Sequence, residues 1–455
     1  MSNKPSSFST AAWRRSLSAS YAGAKAGHKW AIKNALASFA SKDKQAELKR
    51  LALADQAHAF VDELGRLKGG YVKIGQTLAT IGSDILPREV VSALRILESQ
   101  AEPLPWEEIE PHLKRSLGSK FGGLNIEQAP VFAASLSQVY AAQNDDLERL
   151  AVKVQYPGVA KAMKADLDHV VTFLKLMPWA PSGNVLNALV TSLRQQLLDE
   201  VDYTREVEML SIIRAKLAGD SRFVVPLVYP DLSGKQVICM QWLEAEDVAS
   251  EAVQNLSLSE RNALAESMLD LLFKEIFVWG YYQSDPNFGN YKVSLAGPRP
   301  QIALLDFGSI QRFDADFQKH LQNVIAACRY RQSLELIQAL THLGFSDDSM
   351  PGSVKSSFAE LCFTLMEPLA INLQKNAQQY LNDKGEYCWA DSDLIKRSSK
   401  LAAQSALSPH FKAPPPEFTI LIRKLAGVFS FITALRAEFN AGDLLQSYIE
   451  KAIYE

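Results

Sequence analysis

Residues 283–291 read QSDPNFGNY, and residues 304–308 read LLDFG. Asp285 and Asn290 stand five positions apart in a polar loop, while Asp306 closes the short apolar run Gln301 to Leu305. That spacing suits phosphoryl chemistry. One aspartate orients or activates the attacking group, an asparagine reaches a metal ion, and a second aspartate is presented at a strand end as a further metal ligand. Asp-Phe-Gly alone is a common string, so the stretch decides the fold only if the rest of the chain supplies the remaining parts.

Those parts occur upstream in a fitting order. Lys153 lies in LAVKVQ, at the end of a short β-branched run where a strand lysine reaches the α- and β-phosphates. Glu206 lies in a helical pattern from Asn184 to Leu217, read as one long helix or a kinked pair, and is the natural ion-pair partner for that lysine. No Gly-x-x-x-x-Gly-Lys-Ser/Thr and no Gly-x-Gly-x-x-Gly occurs, which removes the P-loop and dinucleotide-fold explanations.

The surrounding periodicities set the layout. Residues 45–100 read as helices, and Trp106 to Leu117 as a helix inside a Pro/Gly-rich connector. Val131 to Ala141 and Leu150 to Gln155 read as a hairpin, and Phe223 to Val228 with Gln236 to Trp242 as a second strand pair. After Leu256 the chain is mainly helical. Strand pair, helix, strand pair and helical half together predict an α+β, protein-kinase-like bilobal fold. The expected divisions are a basic arm at 1–44, a helical extension at 45–115, an N-lobe at 116–245 and a helical C-lobe at 246–455.

Composition narrows the class. The chain has 455 residues, 47% of them hydrophobic, enough for two or three full cores. Net charge is -3, so nucleic acid is not an expected partner. Cys239, Cys328, Cys362 and Cys388 lie tens of residues apart, which suits free thiols in a reducing compartment. The longest uncharged apolar run, Leu425 to Leu435, is too short to span a bilayer. Residues 1–42 carry seven Lys/Arg and no Asp or Glu, with Trp13, Leu17, Tyr21, Trp30 and Phe39 interspersed. A disordered tail, a membrane-surface anchor and an organellar transit peptide all fit that arm.

The motif set as a whole resembles the UbiB-type atypical kinases, the aarF-domain (ADCK-like) family, over residues 60 to 455. A Lys-x-Gly-Gln motif reads Lys73-Ile74-Gly75-Gln76. The Ala-rich loop that replaces the kinase Gly-rich loop resembles Phe132-Ala133-Ala134-Ser135, with Gln138-Val139 after it. Glu-x-Asp reads Glu200-Val201-Asp202, ahead of Glu206. Gln283-Ser284-Asp285-Pro286-Asn287 is similar to the version in the coenzyme Q branch, where other branches carry His-x-Asp-Pro-His.

The resemblance implies an ATP-dependent enzyme that hydrolyses Mg²⁺-ATP, has little protein kinase activity in trans, and supports ubiquinone biosynthesis. It implies catalytic roles for Asp285, Lys153 and Glu206, and metal ligation by Asn290 and Asp306. Nucleotide binding or gating falls to Ala133, Ala134, Ser135, Lys73, Gln76, Glu200 and Asp202, with Lys73 facing Glu200 and Asp202. A lipid or quinone-precursor ligand, an anionic membrane surface and quinone-biosynthesis enzymes are the implied partners. A cytoplasmic face or a mitochondrial matrix face, with peripheral membrane attachment, is the implied location. A true kinase and a nucleotide-binding scaffold remain as alternatives. Phe132 and Ser137 depart from the usual alanine and glycine, and each added Cβ hinders close approach of the backbone to phosphate.

Overall fold

A computed structural model describes residues 42–67, 70–82, 86–94, 97, 103–181, 183–283, 290–345, 350–405 and 416–454. Residues 1–41, the bulk of the basic arm, and 284–289, which include Asp285, lie outside the described residues. The chain forms two compact units, one of residues 1–207 with 228–242 and one of 208–227 with 243–455.

The first unit joins helices to an antiparallel sheet around one core. Its strands are β1 (Leu124–Ile126), β2 (Phe132–Ala133), β3 (Ser137–Asn144), β4 (Arg149–Gln155) and β6 (Val237–Gln241), in the order β1-β3-β4-β6 with β2 on β3. β4 shows why this segment is a strand. Leu150, Val152 and Val154 are fully buried on one face, and the period of two turns Lys153 to the other. The helices Lys42–Leu67, Gly70–Ile81 and Arg88–Leu94 pack on one another, and the second also packs on Val159–Lys175 and Gly183–Glu200. Phe60, Ile74 and Leu78 from the extension share a single hydrophobic core with Tyr140, Val152, Leu189 and Leu193.

Gly75 is required at the tightest point of that layer. A Cβ there would run into the Leu97 side chain and come within 3.1 Å of Leu64 Cδ1. Gly70, at the start of the same helix, sits against the buried Asp166, whose Oδ2 lies 2.6 Å from where a Cβ would be. A carboxylate at that position also complements the helix dipole.

The single 3.6-period pattern predicted from Asn184 to Leu217 divides into two helices, Gly183–Glu200 and Tyr203–Lys216. The cause is local: Asp202 accepts from the amide and the hydroxyl of Thr204 and caps the second helix.

The second unit is mostly helical. Leu258–Phe273 starts with a Ser257–Glu260 capping box and runs into a π-turn, Lys274–Trp279, that ends at Gly280 with φ 65°. Two small sheets follow: β7 (Tyr281–Gln283) with β10 (Ile310–Arg312), and β8 (Tyr291–Ser294) with β9 (Gln301–Leu304) and β5 (Phe223–Val224). The helices Ala315–Arg329, Ser333–His342, Gly352–Leu365, Leu394–Ser405, Pro416–Ala434 and Gly442–Tyr454 complete it. The Phe223 and Gln236 runs meet in one antiparallel bridge, Val228 with Met240, while their main pairings lie elsewhere. β5 pairs in parallel with β9, and β6 pairs with β4.

Candidate active site

Lys153 is held from two sides. Its Nζ donates to Glu206 Oε1 at 2.7 Å and Oε2 at 2.9 Å, and it lies 5.1 Å from the centre of the Tyr203 ring. The side chains are 16% and 5% exposed, so the pair is largely shielded from water. Glu206 and Tyr203 share the first turn of Tyr203–Lys216, which explains why the cap at Asp202 matters: it fixes the turn that carries both. Gln155, fully buried on β4, donates to the Val201 carbonyl at 2.8 Å and ties the helix break to the strand.

Of the residues expected from the sequence to act in gating, some are brought together. Lys73 Nζ pairs with Glu200 Oε1 at 2.5 Å, linking the Gly70–Ile81 helix to the end of Gly183–Glu200. Gln76 donates to the Leu97 carbonyl at 3.0 Å, and Tyr71 Oη meets His169 Nδ1 at 3.0 Å. Asp202 is exposed and spends its carboxylate on the helix cap instead of on Lys73.

The Ala-rich segment makes a tight turn. Phe132 and Ala133 pair with Val139 and Gln138. The Ala134 amide donates to the Ser137 carbonyl at 2.8 Å, and the Ala134 carbonyl accepts from Tyr156 Oη at 3.0 Å. A phosphate cradle depends on free backbone amides, and here one of the loop's is engaged within the turn. Ser135 is half-buried, Ser137 is buried and Phe132 is 62% exposed. Gln138 is buried away from the turn, bonded to Tyr140 Oη at 2.6 Å and to the Leu104 backbone, so it anchors the connector at 103–105 to the sheet.

In the second unit the β8–β9 hairpin sets Tyr291 opposite Leu304, and the Leu305 amide donates to the Asn290 carbonyl at 3.1 Å. Strand register therefore sets Asn290 opposite Leu305, the residue that precedes Asp306. Asp306 Oδ1 accepts from the Gly308 amide at 2.9 Å, which fixes the carboxylate's orientation, and Phe307 is buried behind it. Gln283 Nε2 donates to the Asp306 carbonyl at 2.8 Å. A carboxylate and an amide oxygen are the donor types that a hard divalent cation takes. Sequence reading assigned no role to Tyr203, Gln155 or the Gln283 side chain. A lysine beside an aromatic at the start of a helix carries no local signal, and buried glutamines look like any others.

A lysine–glutamate pair between a strand and a helix, with Asp-Phe-Gly at the end of a second small sheet, defines a kinase-like fold. A family model described as the ABC1 atypical kinase-like domain matches residues 96–340, and the chain belongs to that family. It is 28% identical over 403 residues to the mitochondrial atypical kinase COQ8 of Saccharomyces cerevisiae, covering 88% of this chain and 77% of that one. The same identity holds over 405 residues with the mitochondrial atypical kinase coq-8 of Caenorhabditis elegans, of which this chain spans about half, 51%, with 88% of its own length matched. The structure of Rv3197 from Mycobacterium tuberculosis, solved with erythromycin, superposes with a TM-score of 0.59 at 24% identity, covering 90% of this chain and 98% of that one, a likeness of fold.

Proposed function

We propose that this chain is an ATP hydrolase of the atypical kinase type that supports ubiquinone biosynthesis at a membrane surface, with little transfer of phosphate to other proteins. The observation that carries this reading is the bidentate Lys153–Glu206 pair, which fixes an ammonium on the strand face opposite the core. An exposed lysine would be free to wander; this one is fixed in place to meet phosphate oxygens, as nucleotide chemistry needs. Asp306 and Asn290 would hold Mg²⁺, which when bound would supply positive charge against the phosphates. Asp285 orients or activates the attacking water, a role that rests on sequence alone.

The restraint on protein phosphorylation is assigned to the extension. Lys73, Gln76 and Glu200 tie the Gly70–Ile81 helix into the unit that carries Lys153. The engaged Ala134 amide favours loose over tight nucleotide contacts. The quinone link rests on the likeness to the mitochondrial atypical kinases COQ8 and coq-8. A matrix or cytoplasmic face with peripheral attachment is proposed for this chain. No helix among the described residues is long and apolar enough to cross a membrane.

The test follows the γ-phosphate of labelled ATP. Label appearing as inorganic phosphate, dependent on Mg²⁺ and on Lys153, supports the reading. Label appearing instead on the chain or on an added protein would replace it with a true kinase.

A further inference from the structure

Two charges lie deep in the second unit and take no part in the chemistry above. Lys424 is 2% exposed and Glu275 side-chain exposure is 8%; Lys424 Nζ lies 3.0 Å from Glu275 Oε1, 2.9 Å from Oε2 and 2.8 Å from Tyr291 Oη. Burying two ions costs solvation that their attraction only partly returns, and a pair of apolar side chains often serves stability as well or better. Stability alone therefore accounts poorly for the pair. Its neighbours suggest what else it does.

Glu275 lies in the π-turn that precedes β7, with its carboxylate near the backbone amide of Gln283. The Gln283 side chain donates to the Asp306 carbonyl at 2.8 Å. Tyr291 opens β8, next to Asn290, and Leu305 bonds back to Asn290. A continuous set of contacts thus runs from Lys424 through Glu275 and Gln283 to Asp306, and from Lys424 through Tyr291 to Asn290. π-turns inside helices recur at functional positions.

We propose that Lys424 and Glu275 are positioning residues for Asp306 and Asn290, fixing the carboxylate and amide through Gln283 and Tyr291. The inference rests on the reading of those two residues as metal ligands. Outer-shell contacts of this kind govern how well ligands hold a metal. The pair draws Lys424 from the helix Pro416–Ala434 and Glu275 from the π-turn, so the C-terminal helices contribute to the metal site without touching it.

The test uses the full chain, with Mn²⁺ as the probe in the presence of ADP. Free Mn²⁺ is followed by its electron paramagnetic resonance signal, and exchange of the Gly308 amide, which bonds Asp306, is followed by mass spectrometry. Lys424→Met combined with Glu275→Leu removes both charges together, and Gln283→Met breaks the link downstream without disturbing the pair. Positioning predicts ~10-fold weaker Mn²⁺ binding and faster Gly308 exchange in both variants, with Lys424→Arg restoring wild-type behaviour. Wild-type Mn²⁺ affinity and exchange in Gln283→Met would overturn the proposal, including where the double variant fails to fold. If the wild-type chain itself binds no Mn²⁺ with ADP, the metal reading fails, and unchanged Gly308 exchange in Gln283→Met then decides against the positioning contacts separately.

Discussion

The Lys153 ammonium and the Glu206 carboxylate meet in two hydrogen bonds of 2.7 and 2.9 Å, one partner from a strand and the other from the first turn of a helix. The pair is largely shielded, and its removal is felt in stability and in chemistry to different degrees. Lys153→Met is expected to lower turnover by about 10²-fold or more. The same change should cost about 1–3 kcal/mol, between the values for exposed and buried pairs. Steady-state hydrolysis beside thermal melts separates the two effects.

Gly75→Ala tests the packing of the extension. A Cβ meets the ends of the Leu97 and Leu64 side chains, which must shift to admit it, and overpacking of that kind costs about 1–3 kcal/mol. Limited proteolysis should cut the variant faster between residues 42 and 94 than the wild type, while Lys153 and Glu206 keep their contact.

Lys73 and Glu200 should behave as a coupled pair. Their side chains are 25% and 16% exposed, so a double-mutant cycle with alanine at each is expected to return about 0.5–1.5 kcal/mol. The corresponding cycle between Lys73 and Asp202 should return close to zero, because Asp202 caps its helix.

His112 sets a pH dependence. Burial, and then the Arg115 charge, lower its pKa below the ordinary 6.5. The folded state therefore releases a proton that the unfolded state retains, and stability rises with pH across the interval between the two values. Stability should be full above about pH 6.5 and fall as the pH drops below it. His112→Gln should flatten that part of the melting-temperature profile.

The thiols should divide in reactivity. Burial pushes Cys239 and Cys362 to about 12 and raises Cys328 well above its ordinary value, so little thiolate forms on any of them at neutral pH. Cys388 is only half-buried. A native-state titration with a thiol reagent is expected to show one accessible group, and denaturation to show four.

Local patterns announced much of this structure and could not announce the rest. The β3–β4 hairpin and the inward Leu150, Val152 and Val154 follow from a period of two, which also turns Lys153 outward. The membership in an atypical kinase family was legible from motif order. The parallel pairing of β5 with β9 was not, because its register joins Phe223 to Ile302 across a long stretch of chain. The helix Val159–Lys175 escaped the sequence reading although Val159, Met163, Leu167, Val170 and Leu174 follow helical spacing. Lys424 left a faint signal: it falls in the buried stripe of Phe418, Leu421, Val428 and Leu435, where a charge is out of place. Its partner could not be read, since Glu275 lies far away in sequence.

The central claim is tested most directly by steady-state ATP hydrolysis of the purified chain, with and without liposomes of anionic lipid, beside Asp306→Asn. The account predicts Mg²⁺-dependent turnover that rises with lipid and vanishes in the variant. Rates equal to that of the variant in every condition would contradict it.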